Sequence, residues 1–415
     1  MNKEIKMRFH MTDFDMSDSN FNSLTQLKNG AVYFTLCSHD VNTSGRVYRL
    51  LPGTETPELV CDLGVVCDGV IEKRIPQGKS HTPFFEYNGK LYVATHCSFY
   101  GGGEAEGKEN PAPPPAGYKG YSGGRFLEIN PDTNETKVLA SAPEGEGIIT
   151  MGMDTVNGIC YGITWPSGIL LVYNVNTGAL INSGKIAFDG EIGKGERYSC
   201  LCRVFAIDPR NGRAYFTRSD GAVFSTDATG EVVCEDWCNL KREAFGFFDP
   251  AKGGHQGYNW RYVTYSEKYQ CFFGVHGKSG WLFLFDPVGH RFEILDRIPS
   301  SYCYKTGDFE DFRYGYMTLT QRPDDPDTLY YISGYREPGA ESPCLTPITY
   351  SIKTRKITEY GYLKIEGVGF PDNIQTLAVT KDGTWYCCPW YPKGGVTETG
   401  RPICGCQLAS FTVHE

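Results

Sequence analysis

The chain of 415 residues is 40% hydrophobic and 14% aromatic, contains 49 Gly and 24 Pro, and carries a formal net charge of −9. High Gly, Pro and aromatic content without long helical runs favours an all-β protein with many turns. The acidic balance and the lack of a basic block exclude nucleic acid as an expected partner.

The N-terminal residues 1–20 contain four acidic side chains and no apolar core segment, so they do not resemble a signal peptide. No stretch approaches the ~20 apolar residues needed to span a bilayer, and we expect no membrane partner. In a long chain without a leader, the 16 cysteines are expected to be reduced and mostly buried. The predicted location is the cytoplasm.

A unit of about 50 residues recurs along the chain: a turn, a strand ending in aromatic residues, a small-residue turn and a second strand. Seven copies open at Asn29-Gly30, Asn88-Gly89, Asn157-Gly158, Asn211-Gly212, Glu267-Lys268, residues 325–327 and Asp382-Gly383. One copy alone cannot bury both its faces, so the copies must stack. The pattern predicts an all-β fold, a seven-bladed β-propeller forming a single domain over residues 1–415. A strand near residues 6–11 is expected to pair with the last blade.

Residues 78–97 predict a β-hairpin around which the candidate site is organised. Asn88-Gly89 is a strong two-residue turn signal because both residues tolerate positive φ. His81 enters the first strand and His96 leaves the second. Antiparallel pairing brings these two ends together, so the hairpin predicts two neighbouring imidazoles at one edge of a sheet.

An insertion at residues 101–124, rich in Gly, Pro and Glu, interrupts the second copy directly after His96. Its composition is typical of a loop between strands rather than of a linker between domains. Two interpretations stay open: a lid over the face that carries the histidines, and an insertion without a function.

Positions just after the second strand of each copy are expected to face one end of the propeller, and the first strands add His81 and Arg203. The other candidates for substrate binding are Tyr161, Trp165, Trp260, Arg261, His276 and Trp390. Imidazoles exchange protons near neutral pH, arginine grips carboxylates, and aromatic faces suit sugar rings. The alternative is structural, since a single His or Arg at a strand end is commonly a hydrogen-bonded framework residue.

The cysteine pattern does not indicate a metal. Cys200-x-Cys202 and Cys404-x-Cys406 place thiols on one face of a strand, and neither shows the paired spacing of a structural zinc site. We predict no metal site. A nucleophile elbow, a P-loop and a dinucleotide fingerprint are also missing, so the cofactor is unknown.

The segments GKSHTPFFEYNGKLYVATH, GITWPSGILLVYNVNTG, CRVFAIDPRNGRAYFT and FFGVHGKSGWLFLFDP resemble the seven-bladed propeller polysaccharide lyases. The ulvan lyases are the most similar, and oligogalacturonate lyase is more distant. The resemblance implies β-elimination at a uronic acid, with His81 and His96 as the histidine pair and Arg203 neutralising the carboxylate. One departure is Trp165, which stands where the ulvan lyases carry a tyrosine acting as acid or base.

From this resemblance we predict a lyase that cleaves uronate-containing oligo- or polysaccharides, with catalytic residues His81, His96 and Arg203. Its expected partner is an oligosaccharide containing uronic acid. One alternative is a non-catalytic propeller that binds a carbohydrate or a protein. Another is a lactonase-like hydrolase, which would need several carboxylates around a central metal, whereas the predicted face is mostly His, Arg and aromatic.

Overall fold

The computed structural model describes residues 3–69, 72–98, 113–249, 257–309, 318–337, 339–340, 342–396 and 402–413. The first strand, β1, is Glu4–His10. Alternation of aromatic and β-branched residues with polar ones then generates short antiparallel strands throughout the chain.

Three four-stranded sheets follow in chain order. The first consists of β2 (Leu24–Gln26), β3 (Val32–Leu36), β4 (Arg46–Leu50) and β5 (Glu58–Asp62), and leads into helix α1 (Leu63–Asp68). The second consists of β6 (Phe85–Tyr87), β7 (Lys90–Ala94), β8 (Arg125–Ile129) and β9 (Thr136–Ser141). The third consists of β10 (Gly147–Asp154), β11 (Ile159–Trp165), β12 (Ile169–Asn174) and β13 (Ala179–Lys185).

Three more sheets of the same kind follow. The fourth consists of β14 (Ala206–Ile207), β15 (Ala214–Thr217), β16 (Ala222–Thr226) and β17 (Val233–Asn239). The fifth consists of β18 (Trp260–Ser266), β19 (Cys271–His276), β20 (Trp281–Asp286) and β21 (Arg291–Arg297), and leads into helix α2 (Ser301–Thr306). The sixth consists of β22 (Thr320–Arg322), β23 (Asp325–Tyr335), β24 (Cys344–Ser351) and β25 (Ile357–Glu359).

The remaining strands are β26 (Tyr362–Ile365), β27 (Asn373–Ile374), β28 (Ala378–Val379), β29 (Thr384–Cys387), β30 (Pro389–Val396), β31 (Pro402–Cys406) and β32 (Leu408–Thr412). The seventh sheet joins both ends of the chain in the order β1-β32-β29-β28, and β26 adds to β1 in parallel. Phe9 lies opposite Ala409 in this sheet. The predicted pairing of the N-terminal strand with the last strand is confirmed, and the fold is a seven-bladed β-propeller of four-stranded antiparallel sheets.

The seventh copy, which opens at Asp382-Gly383, departs from the repeating unit of a turn, a strand, a small-residue turn and a second strand. The chain leaves the sheet after Cys387 and forms a separate three-stranded sheet, β27-β30-β31. Trp390 lies on β30 of this extra sheet, opposite Asn373 and Cys406.

The chain divides into two compact units. The first unit comprises Met1–Tyr33, Arg49–Glu58 and Arg261–Glu415, and the second comprises Phe34–Tyr48 and Leu59–Trp260. Each has its own apolar core: Met7, Ile332 and Trp385 are buried in the first, and Phe126, Ile148 and Leu171 in the second. The expected single domain over residues 1–415 stays a prediction.

In the third sheet, every residue of β10 and β11 is buried, whereas β13, at the opposite edge from β10, is largely exposed. All 16 cysteines lie in the described part of the chain, where they are thiols and mostly buried. Across the described residues, no helix combines the length and apolarity needed to cross a membrane.

Residues 101–112 of the predicted insertion lie outside the described residues. The residues that follow are fixed within the second unit by a buried polar network. The Tyr121 hydroxyl donates to Oε1 of Gln77, which also accepts from Thr95 at 2.7 Å. Asp68 accepts from Ser122 at 2.9 Å and pairs with Arg125 at 3.0 Å.

Candidate functional site

The predicted hairpin forms as β6 and β7, joined by Asn88 and Gly89 at φ values of 48° and 71°. Tyr87 lies opposite Lys90, so the loop between the strands has two residues. Positive φ at both loop positions matches the right-handed twist of the flanking strands. The Asn-Gly pair therefore sets the register of the strands beneath the two histidines.

Beyond the strand ends, the chain continues as an isolated bridge between Lys79 and His96. The Lys79 amide donates to the His96 carbonyl at 3.0 Å, and the His96 amide donates to the Lys79 carbonyl at 2.7 Å. His81 lies two residues further along, and its ring meets that of His96 edge to face at a centroid distance of 4.8 Å. The structure thus brings the two imidazoles into direct contact.

Burial controls the protonation of both rings. His96 is fully buried, and His81 is only partly exposed. Desolvation lowers the pKa of each imidazole well below 6.5 because it penalises the charged form. The positive charges of Lys79, Arg203 and His39 lower both pKa values further, and His96 also lowers that of His81. Both rings are therefore neutral at pH 7.

Two neighbours from the third sheet hold the His96 ring in place. Trp165, at the end of β11, packs edge to face against it at a centroid distance of 5.4 Å. On another side lies Gly147, the first residue of β10, where a Cβ atom would lie 1.8 Å from Nδ1 of His96. Only glycine fits this position, because no side chain can share the space of the imidazole.

Arg203 forms a buried ion pair that sequence reasoning did not find. Its Nη2 atom lies 2.7 Å from Oε1 of Glu191. The Arg203 side chain is 10% exposed and that of Glu191 is 3% exposed. Glu191 also accepts from the Trp165 indole N–H at 2.9 Å. The carboxylate thus joins the arginine to the indole that packs on His96.

Tyr161 and Trp260, both predicted to bind substrate, are almost fully buried in the second unit. The Tyr161 hydroxyl donates to the Gly212 carbonyl at 2.9 Å, and the Trp260 indole donates to the Val204 carbonyl at 3.0 Å. Burial raises the pKa of Tyr161 above its usual value, which makes it a poor proton donor. These contacts are those of packing residues, and neither side chain enters the function proposed below.

Arg261, His276 and Trp390 belong to the first unit. Arg261 and His276 are buried, and Ser279 donates its backbone N–H to Nδ1 of His276 at 3.3 Å. Trp390 packs edge to face on Phe21 at 5.2 Å. Its indole donates to the Asn20 carbonyl at 3.3 Å and so fixes the segment that follows β1.

Three residues of the cluster were missed by sequence reasoning: Lys79, Gly147 and Glu191. Lys79 is two residues from His81 in the chain, so its closeness in sequence could have identified it as part of the site. Glu191 lies in a 3-10 turn outside every predicted strand, and nothing in its local pattern marks it. Among the described residues, no group of three or more His, Cys, Asp or Glu side chains is arranged to hold a metal ion.

No family model matches this chain, and no curated protein matches it. Several solved structures, in contrast, are similar to this chain. The periplasmic gluconolactonase PpgL of Pseudomonas aeruginosa is 12% identical with a TM-score of 0.50, covering 92% of this chain and 96% of its own. The WD40 repeats of RRP9 are 8% identical with a TM-score of 0.50 and full coverage of both chains. A chain of the mitotic checkpoint complex is 10% identical with a TM-score of 0.50, covering 100% of this chain and 96% of its own. At these identities the likeness establishes the propeller fold.

The prediction of a uronate lyase is wrong. The propellers that this chain is similar to include a gluconolactonase and WD40 repeats, and no lyase is indicated. The ion pair gives a physical reason. Arg203 was expected to neutralise a substrate carboxylate, whereas its guanidinium pairs with Glu191 inside the protein. Trp165 also lacks the phenol that β-elimination was expected to use.

Proposed function

We propose that this protein is a lactonase-like hydrolase that opens small lactones at the cluster formed by Lys79, His81, His96, Trp165 and Arg203. The observation that carries the proposal is the pair of imidazoles in edge-to-face contact at 4.8 Å. Both are kept neutral by burial and by nearby cations. A neutral imidazole is the form that can accept a proton from water.

The carboxylates around a metal that the sequence analysis associates with a lactonase are not grouped among the described residues, so we assign the chemistry to the imidazoles and their neighbours. Hydrolysis of a lactone requires a base for the attacking water and positive charge for the developing oxyanion. His81 is the partly exposed ring, so we assign it the role of general base. His96 is fully buried and contacts the His81 ring edge to face. Lys79 acts electrostatically on both rings, and we assign it the positive charge that stabilises the oxyanion.

The proposed reaction consumes only the lactone and one water molecule. Water adds to the lactone carbonyl as His81 takes its proton, and the tetrahedral intermediate then breaks the ring C–O bond. The leaving alkoxide takes the proton from the His81 imidazolium, and the product is an open-chain hydroxy acid. The gluconolactonase supports this reaction class as an example of the chemistry that a similar fold hosts.

The test is hydrolysis of a panel of δ- and γ-aldonolactones, followed by acid release in weak buffer with the spontaneous rate subtracted. Loss of the general base in His81→Ala should reduce the catalysed rate by about 10²-fold or more. The control is His290→Asn, because His290 is an exposed turn residue with a φ of 48° that asparagine tolerates.

A wild-type rate equal to the spontaneous one for every lactone would overturn the proposal, as would full activity in His81→Ala. Isothermal titration then identifies the alternative. If wild type binds lactones or sugar acids without turnover, and His81→Ala loses that binding, the protein is a non-catalytic ligand-binding propeller.

A further inference from the structure

Glu191 lies in the connection between β13 and Arg203, on a short 3-10 turn, Gly190–Ile192. The backbone anchors this turn on two sides. The Glu191 amide donates to the Pro166 carbonyl at 2.8 Å, and the Ser199 amide donates to the Gly190 carbonyl at 3.0 Å. The side chain is thereby held inside the protein, where Glu191 is 4% exposed.

Every polar neighbour of this carboxylate is a hydrogen-bond donor. Oε2 accepts from the Trp165 indole at 2.9 Å. Oε1 accepts from Arg203 at 2.7 Å and from the Leu201 amide at 3.1 Å, and the Cys200 thiol lies 3.5 Å away. A carboxylate offers only acceptors, and so it satisfies this set completely.

Both side-chain partners lead to the histidine pair. Trp165 packs on His96 at a centroid distance of 5.4 Å. Arg203 acts through its charge on His81 and His96. One carboxylate therefore binds both the indole that packs on His96 and the guanidinium of Arg203.

We propose that Glu191 is the positioning residue of this site, holding Trp165 against His96 and fixing Arg203 through their ion pair. The inference rests on the proposed function for its catalytic consequence, but the positioning itself does not depend on the reaction.

Substitution of Glu191 by glutamine distinguishes a positioning role from a packing role. Glutamine has the shape of glutamate, so it would preserve packing. Its NH2 group would, however, face either the Trp165 indole or the donors of Arg203 and Leu201, and buried donors without acceptors are costly. Glu191→Gln should therefore fail as a rescue even though its volume is right.

The experiment compares Glu191→Gln and Glu191→Ala with the control Glu196→Gln, which changes an exposed glutamate in the same connection. Two-dimensional NMR follows the Trp165 indole N–H and the His81 and His96 imidazole signals, which requires no substrate. We expect both Glu191 variants to shift these signals and Glu196→Gln to leave them unchanged. Lactone kcat/KM should fall at least tenfold in both Glu191 variants, mainly through kcat.

A second comparison keeps the test decisive if Glu191→Ala does not fold. Trp165→Phe removes one of the donors, and its loss of kcat/KM should be strongly non-additive with that of Glu191→Gln, because both act through one contact. Wild-type NMR signals in Glu191→Gln would overturn the positioning role. Shifted signals in a protein without lactone turnover would uphold it while the proposed function fails.

Discussion

Gly147 lies directly against His96, and a Cβ atom on this glycine would be 1.8 Å from the imidazole Nδ1. The first residue of β10 and the second residue after β7 thus share one small space between neighbouring sheets. This relationship explains why a glycine begins β10, and it provides a way to move His96 without changing any titratable group.

Gly147→Ala should displace the His96 ring and destabilise the protein by about 1–3 kcal/mol, the usual cost of overpacking a filled interior. We expect chemical denaturation to show this loss, and lactone hydrolysis to fall with it. Gly120→Ala is the matched control, because no atom lies within 4 Å of a Cβ built there. Equal stability of the two variants would contradict the steric relationship.

Acidification should destabilise the protein before its carboxylates titrate. The pKa values of His81 and His96 are lowered in the folded state, so the unfolded chain binds more protons below pH 6.5. Their contribution is complete above the unfolded pKa of about 6.5. It is lost as pH falls through that value, by up to about 1.4 kcal/mol per pH unit for each histidine.

Denaturant unfolding between pH 7.5 and 5 measures this slope. The groups that bear on the rings are Lys79, Arg203 and His39, besides the two histidines themselves. His81→Gln should reduce the slope, whereas His290→Asn should not. A wild-type stability that is flat across this range would show that the rings protonate as readily in the folded state as in the unfolded chain.

His10 connects the two ends of the chain within the first unit. Its Nδ1 lies 2.9 Å from the Glu55 carbonyl, and its Nε2 lies 2.8 Å from the Ser410 hydroxyl on β32. Because the ring is 5% exposed, His10→Ala should lower the free energy of unfolding by about 1–3 kcal/mol.

A double-mutant cycle with Ser410→Ala isolates the contact between the strands. Its coupling energy should be at least about 0.5 kcal/mol, as expected for residues in direct contact. Strictly additive losses would mean that this hydrogen bond does not help to hold β1 on β32.

Tyr121 should determine how firmly the described end of the insertion is held. Its hydroxyl donates to the Gln77 side chain in a buried network, so Tyr121→Phe removes a donor and costs about 1 kcal/mol. Hydrogen exchange should accelerate at residues 113–124. Tyr118→Phe is the comparison, because the Tyr118 hydroxyl bonds Asn42 in an exposed position, and it should have little effect. The opposite ranking would place the anchor elsewhere.

Much of this fold was predictable from local pattern. Two-residue turns require positive φ, which Asn88 and Gly89 tolerate, and the side chains of a strand alternate with a period of two. The repeated copies, the hairpin and the proximity of His81 to His96 all follow from these short-range rules. The pairing of β1 with β32 was predictable too, because an unpaired N-terminal strand and an incomplete last copy satisfy each other's backbone groups.

Tertiary structure alone decided the chemistry of the site. Glu191 lies 12 residues before Arg203 in an irregular connection, and only the folding of that connection brings the carboxylate to the arginine. The same holds for Gly147, whose role depends on the His96 ring. It also holds for Trp390, which lies on an extra sheet because β29 ends at Cys387. The physical reason is range: strand and turn preferences act over a few residues, whereas burial, ion pairing and pKa depend on which distant side chains share a desolvated space.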